Sequence, residues 1–396
     1  MALSVSCSSS SVLRQIRRDK KKIDQWRDVQ ALVERVGVPS IAGTPLESLR
    51  KGVWVKLICG ASFEDAVDVR NLSLVYTLAG VDCIDCAADE SIVGAVREGI
   101  EIARQIVPIR SPWVMISVND DEDLHFRKAE FNAEDCPPDC SRPCETVCPA
   151  NAISLRKGGV ITERCYGCGR CLPVCPYDRI RANNYVRSAA TITQLLRHNV
   201  DAVEIHTSAR DVDLFKELWS NLGECVGRLN LVAVSLPDLG HSTVFSMNMM
   251  YSVMQPYLQC CNLWQLDGRP MSGDIGKGAT KEAIAFAARL TAVEGRPHGF
   301  LQVAGGTNSH TIGKLKQVGL FRKMQTVGSL EEPRALISGI AYGGYARKIV
   351  GRVLHKMRGK HGTPLIENYP ECLFEALQEA LALVGPVKCY KFPISE

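Results

Sequence analysis

Short apolar runs of β type recur along this chain, and segments of helical length separate them. The runs are VWVKLIC from Val53, VDCID from Val81, WVMISV from Trp113, AVEIH from Ala202, LVAVSL from Leu231, NLWQLD from Asn262, FLQVAG from Phe300 and LISGIAY from Leu336. Between them lie helical segments such as Ser62 to Leu78, Ser91 to Val107, Asp211 to Leu222, Lys281 to Val293 and Ile312 to Val318. Strands that alternate with helices imply right-handed parallel βαβ units, and near-continuous apolar strands imply burial on both faces. Eight such units over about 300 residues predict an α/β fold, a (β/α)8 TIM-like barrel. An open doubly wound sheet is the competing architecture.

The alternation breaks after the third strand, where the connection to the fourth is far longer than an ordinary loop. In a barrel that connection opens on the C-terminal face, where function is usually built. A polar helix is expected around Lys22 to Val36, and a last helix, Tyr369 to Leu383, should pack outside the barrel before a Pro-containing tail. The expected division is therefore a targeting segment and linker helix over 1–50 and the first part of the barrel over 51–130. An insert follows over 131–182, then the second part of the barrel over 183–360, and a C-terminal helix and tail over 361–396.

The composition is globular, with 46% hydrophobic and 23% charged residues in 396. No apolar run approaches the roughly 18 to 20 residues that span a bilayer. Residues 1–22 hold six basic side chains against Asp19, which is five units of the formal net charge of +4, so the rest of the chain carries −1. That remainder gives no electrostatic reason to expect nucleic-acid binding. The opening MALSVSCSSSSVLRQIRR is Ser-rich, lacks acids and lacks a secretory apolar core. It reads as an organellar transit peptide, for the chloroplast stroma more than for the mitochondrion, the alternative being a solvated tail.

Seventeen cysteines in so large a chain, eight of them within forty positions, favour metal ligation over disulfides. Cys165, Cys168, Cys171 and Cys175, followed by Pro176, follow the C-x2-C-x2-C-x3-C-P run of bacterial-type ferredoxins. Cys136, Cys140, Cys144 and Cys148, followed by Pro149, share the C-x3-C-P ending behind wider gaps. In two-cluster ferredoxins the fourth cysteine of a run ligates the other cluster. That rule puts Cys136, Cys140, Cys144 and Cys175 on one [4Fe-4S] cluster and Cys148, Cys165, Cys168 and Cys171 on the other. Zinc is the competing ligand, since four-cysteine zinc sites also use C-x2-C pairs. Ala150 to Ser154 and Gly159 to Glu163 should form the strand and turn that separate the halves of a ferredoxin-like α+β domain.

Weaker signals lie in the barrel. Gly305, Gly306, Thr307 and Asn308 fall where the seventh strand should end, and Gly343 and Gly344 where the eighth ends. Loops there are the usual phosphate site of such barrels, which raises flavin mononucleotide or another phosphorylated small molecule as a ligand. The alternative is that the glycines only make tight turns. Lys56 sits mid-strand, where a buried cation needs a partner. Glu204 and His206 are two apart on the fourth strand and so share a face. Asp267, Arg269, Ser272 and Asp274 follow the sixth strand and could line the same polar pocket. Cys83 and Cys86 are three apart on a strand and face opposite sides, so they read as core residues. Cys59, Cys225, Cys260, Cys261, Cys372 and Cys389 lack ligand spacing.

With the tandem cysteine runs inside a barrel, and with VWVKLICGASFED, AGVDCIDCAAD, CPPDCSRPCETVCPANAI, LWQLDGRPMSGDIGKGAT and HGFLQVAGGTNSHT, the chain resembles the light-dependent period (LdpA) family. These are iron-sulfur proteins of cyanobacteria and plastids, and the resemblance covers about Val53 to Lys356. It implies electron transfer or redox sensing linked to light and photosynthetic electron transport, with a redox partner protein or electron carrier. The cyanobacterial circadian role transfers least readily, because plastids lack that clock's oscillator. Two other readings remain open: an oxidoreductase whose clusters feed a flavin or bound substrate at the barrel mouth, and a scaffold whose clusters only stabilise the fold.

Overall fold

The computed structural model describes residues 25–38, 43–186, 189–197, 200–268, 280–321, 336–361 and 365–391. The Ser-rich opening, and Arg269, Ser272 and Asp274, lie outside these.

Eight parallel strands close into a barrel. In chain order they are β1 (Trp54–Gly60), β2 (Cys83–Ala87), β3 (Trp113–Asn119), β8 (Ala202–His206), β9 (Leu231–Pro237), β10 (Cys261–Asp267), β11 (Phe300–Ala304) and β12 (Gly339–Tyr342). The numbers between β3 and β8 belong to four short strands of the insert. Closure pairs β12 with β1, from Trp54 opposite Gly339 to Leu57 opposite Tyr342. A Cβ on Gly339 would lie 2.2 Å from the Trp54 carbonyl oxygen, so the seam needs a residue without one. The barrel expected from the alternation is thus the fold, and the open sheet is excluded.

Side-chain alternation along each strand sorts the two faces. Outward residues such as Val55, Ile84, Val114, Ile116, Val203, Val232, Val234, Leu301 and Ile340 join the main core beneath the helices. Inward residues form layers. Trp54, Cys83, Met115, Ala202, Leu231, Ala233 and Leu263 make an apolar base, joined by Leu49 from the helix Pro45–Lys51. Further along seven of the eight strands the inward positions turn polar, as Lys56, Asp85, Ser117, Glu204, Ser235, Gln265 and Gln302. Every one of these is buried.

Helix starts follow their caps. Asp65 accepts from the N–H of Asp68 and so starts a helix at Ala66 rather than Ser62, and Asp89 accepts from Ser91 and Ile92 to start Glu90–Ile106. The helices Thr243–Met254 and Gly344–His361 were not among those anticipated, and the last helix runs Pro370–Lys388, further than expected.

The insert leaves the end of β3 and returns at β8. Its strands β4 (Arg127–Glu130) and β7 (Arg181–Asn184) pair antiparallel, as do β5 (Ile153–Ser154) and β6 (Gly159–Val160). Phe131, Cys144, Ile153, Cys171 and Ile180 form a small core of its own. The insert is fastened to the loop after β1. Lys128 pairs with Glu64 at 2.6 Å, Arg164 with Asp65 at 3.0 Å, and the Tyr185 hydroxyl bonds to Ser62 Oγ at 2.8 Å. Tyr166 is wedged between the insert and the barrel, edge-on to Phe63, with the Arg347 guanidinium 4.0 Å above its ring.

Candidate functional site

The eight clustered cysteines gather into two groups of four. Cys148, Cys165, Cys168 and Cys171 line one cavity, with Ala129, Ala150, Ala152, Ile153, Leu172 and Ala182 among its walls. Cys136, Cys140, Cys144 and Cys175 line a second, with Phe131, Pro137, Pro143, Pro176 and Ile180. Each group takes three cysteines from one run and the last cysteine of the other.

Four of the eight sulfurs accept backbone hydrogen bonds. Backbone N–H groups donate to them from Ala129 to Cys165 (3.2 Å), Ala152 to Cys148 (3.2 Å), Arg142 to Cys140 (3.4 Å) and Arg179 to Cys175 (3.3 Å). All the described cysteines are free. Among the described residues no three of these sulfurs converge to within 4.8 Å of one another. Four thiolates on one zinc, at about 2.3 Å each, would lie only about 3.8 Å apart. The spread, the apolar walls and the N–H donors fit an iron-sulfur cluster better than a single ion.

Beside the first cavity runs a groove between the insert and the helix Gly344–His361. It is lined by Cys148, Arg170, Arg347, Lys348, Arg352, His355 and Arg358, among others. Arg358 is spent on Asp68, and Arg347 on the carbonyls of Ile58 and Cys59. Arg170, Lys348, Arg352 and His355 have no acidic partner among the described residues.

A second polar site fills the barrel. Lys56 Nζ bonds to Glu204, lies 3.8 Å from Asp85 and touches Met115 Sδ at 3.7 Å. Gln265 Nε2 donates to Glu204 (2.8 Å) and to Ser235 (3.1 Å), Gln302 to Gln265 (2.7 Å), and Trp54 Nε1 to Gln302 (2.6 Å). Ser117 donates to Asp85 at 2.7 Å, and Ser235 to Asp267. His206 Nε2 is 3.1 Å from Glu204, so the two do share the interior face. Burial opposes the charge on Lys56, yet Glu204 and Asp85 raise its pKa. Burial likewise opposes the charge on Glu204, but Lys56 and His206 bring it down to about 2. Asp85 is pushed up to about 6 by burial, which outweighs Lys56. For His206, Glu204, Asp123 and Asp267 outweigh burial and raise it to about 9.

The loops after β11 and β12 are differently occupied. Thr307 Oγ1 donates to the Ala341 carbonyl, and Asn308 Oδ1 accepts from His310 N–H (2.9 Å). Thr307 is thereby tied to β12, and Asn308 to the turn that follows it. Gly305 and Gly306 take positive φ, 69° and 81°, as tight turns require. Gly344 opens the last barrel helix, with Gly343 just before it. Cys83 joins the barrel base and Cys86 the outer core, on opposite faces.

Asp85, Ser117, Ser235, Gln265 and Gln302, and Asp123 and His125 at the mouth, were not singled out from sequence. A polar residue at the inward register of an apolar strand is the signal that could have found the first five.

The fold and the cysteine-lined cavities define an iron-sulfur protein in which a ferredoxin-like domain interrupts a (β/α)8 barrel. Residues 136–186 match the Fe-S cluster-binding domain of LdpA, and residues 194–386 the Light dependent period A C-terminal domain. The chain is 41% identical to Light dependent period A of Synechococcus elongatus over 349 residues, 88% of this chain and 94% of that protein. It belongs to the Light dependent period A family. The cysteine domain alone is similar to electron transport protein HydN of Escherichia coli, 54% identical over 37 residues, 9% of this chain and 21% of that one. It is also similar to an uncharacterized ferredoxin of Methanocaldococcus jannaschii, 40% identical over 52 residues, 13% and 34% of the two chains.

Proposed function

We propose that this protein carries two [4Fe-4S] clusters, one on Cys136, Cys140, Cys144 and Cys175 and the other on Cys148, Cys165, Cys168 and Cys171. They pass or sense single electrons in step with light-driven electron transport. The observation that carries this reading is the exchange of the last cysteine between the two runs, which ties two cavities into one domain. Each bound cluster supplies a one-electron couple whose potential depends on local charge, hydrogen bonds and solvent. The chain's part is to hold the thiolates, to donate backbone N–H groups that stabilise added negative charge on sulfur, and to keep the cavity walls apolar. Arg170, Lys348, Arg352 and His355 beside the first cavity suit an acidic redox partner, because charge complementarity speeds encounter.

The test is an anaerobic redox titration followed by electron paramagnetic resonance, with flavin extracted from the same sample. Reversible reduction of two clusters without bound flavin is the expected result. Stoichiometric flavin would instead favour an oxidoreductase fed by the clusters, and redox-inert clusters would favour a scaffold.

A further inference from the structure

At the C-terminal mouth of the barrel, away from the cysteines, one carboxylate and two imidazoles converge. Asp123 Oδ1 lies 2.6 Å from His125 Nδ1 and 4.0 Å from His206 Nδ1, and the two imidazole rings are 4.8 Å apart. One ligand atom from each residue lies within 4.8 Å of the other two. Ligand atoms around a tetrahedral ion at about 2.1 Å sit about 3.4 Å apart. Small side-chain shifts would therefore bring all three onto one ion.

We propose that Asp123, His125 and His206 hold a divalent first-row transition metal ion at this mouth.

Two further features support the assignment. First, His206 is oriented as a ligand: its Nε2 faces Glu204 Oε1 at 3.1 Å, which leaves Nδ1 turned toward Asp123. Glu204 is itself fixed by Lys56 and Gln265. A carboxylate that locks the far nitrogen of an imidazole is the usual support of a metal-bound histidine. Second, Asp123 and His125 line a pocket whose other walls include Thr207, Ser208, Ser235 and Asp267. Three protein ligands beside an open pocket suit an ion that keeps a position for water or substrate rather than a closed structural site.

The donor set of two nitrogens and one oxygen selects zinc, iron(II) or a neighbour over magnesium or calcium, which prefer oxygen alone. His125 is four residues before Ala129, whose N–H bonds to Cys165 Sγ. The metal site is then within about 14 Å of chain from the first cysteine cavity.

The test uses protein with its iron-sulfur clusters loaded, so that the eight cysteines are occupied. The protein is dialysed against zinc(II), and zinc, iron and sulfide are measured by plasma mass spectrometry and a sulfide assay. The expected result is one zinc per chain with iron and sulfide unchanged, lost in both His125→Ala and Asp123→Asn while their iron, sulfide and circular dichroism match the wild type. These two residues lie in the loop before β4, so their variants should fold where a His206 variant would disturb the interior network. No zinc in the wild type, equal zinc in the variants, or zinc gained only as iron is lost would overturn the proposal.

Discussion

Lys56 shows how one residue commits the barrel interior. Its ammonium is wholly buried and compensated by Glu204 and Asp85, with Gln265 completing the carboxylate's bonds. Removing one partner of a buried pair leaves an uncompensated charge, which costs about 3–5 kcal/mol. Lys56→Met should lower the stability read from anaerobic urea unfolding by up to that amount, since His206 still faces Glu204, and adding Glu204→Gln should recover part of it. An unchanged midpoint in the single variant would mean the pair is not buried as described. Lys56 and Glu204 stood out in the sequence because each interrupts an apolar run. Their partnership did not, because it joins the first barrel strand to the fourth across 148 positions, and no local pattern encodes that distance. Asp123 and His125 were harder still, since a loop has no period against which an odd residue shows.

At the scale of elements, alternation and cysteine spacing carried most of the information. A strand's period of two and a helix's caps are local, so the eight barrel strands were legible while their ends shifted by a few residues, as Leu336 to Gly339 for the last. The helix Gly344–His361 was missed because its polar face, rich in Lys and Arg, hides its apolar stripe. Within the cysteine domain, the loop from Cys165 to Cys171 depends on Gly167. Its φ is +72°, and a Cβ there would lie 2.3 Å from the Arg127 carbonyl oxygen. Both the left-handed backbone and the contact exclude a larger residue. Gly167→Ala is therefore expected to empty the Cys148, Cys165, Cys168 and Cys171 site while sparing the other. Iron content should fall to roughly half, since each cluster holds about four iron. Full iron in this variant would show that the loop tolerates the change.

At the scale of the whole molecule, the barrel presents a cysteine domain over its mouth and a basic groove beside one cavity. The groove was not legible beforehand, because Arg170 belongs to the insert and Lys348, Arg352 and His355 to the last barrel helix. Only the folded chain sets them side by side. Changing Arg170, Lys348 and Arg352 to Glu should slow reduction by an acidic electron donor at low salt and flatten its dependence on ionic strength. Exposed charges act over a Debye length of about 10 Å at 0.1 M salt. Stopped-flow reduction measured across a salt series reads this, and identical salt curves would place the partner elsewhere.

The most direct measurement is iron and acid-labile sulfide in anaerobically purified protein, compared with Cys140→Ala and Cys168→Ala, one cysteine from each group. Two clusters predict about eight iron and eight sulfide in the wild type. Each variant should keep about four of each, and the two losses should differ in their paramagnetic resonance signals. About four iron in the wild type, or zinc in place of iron, would contradict the account.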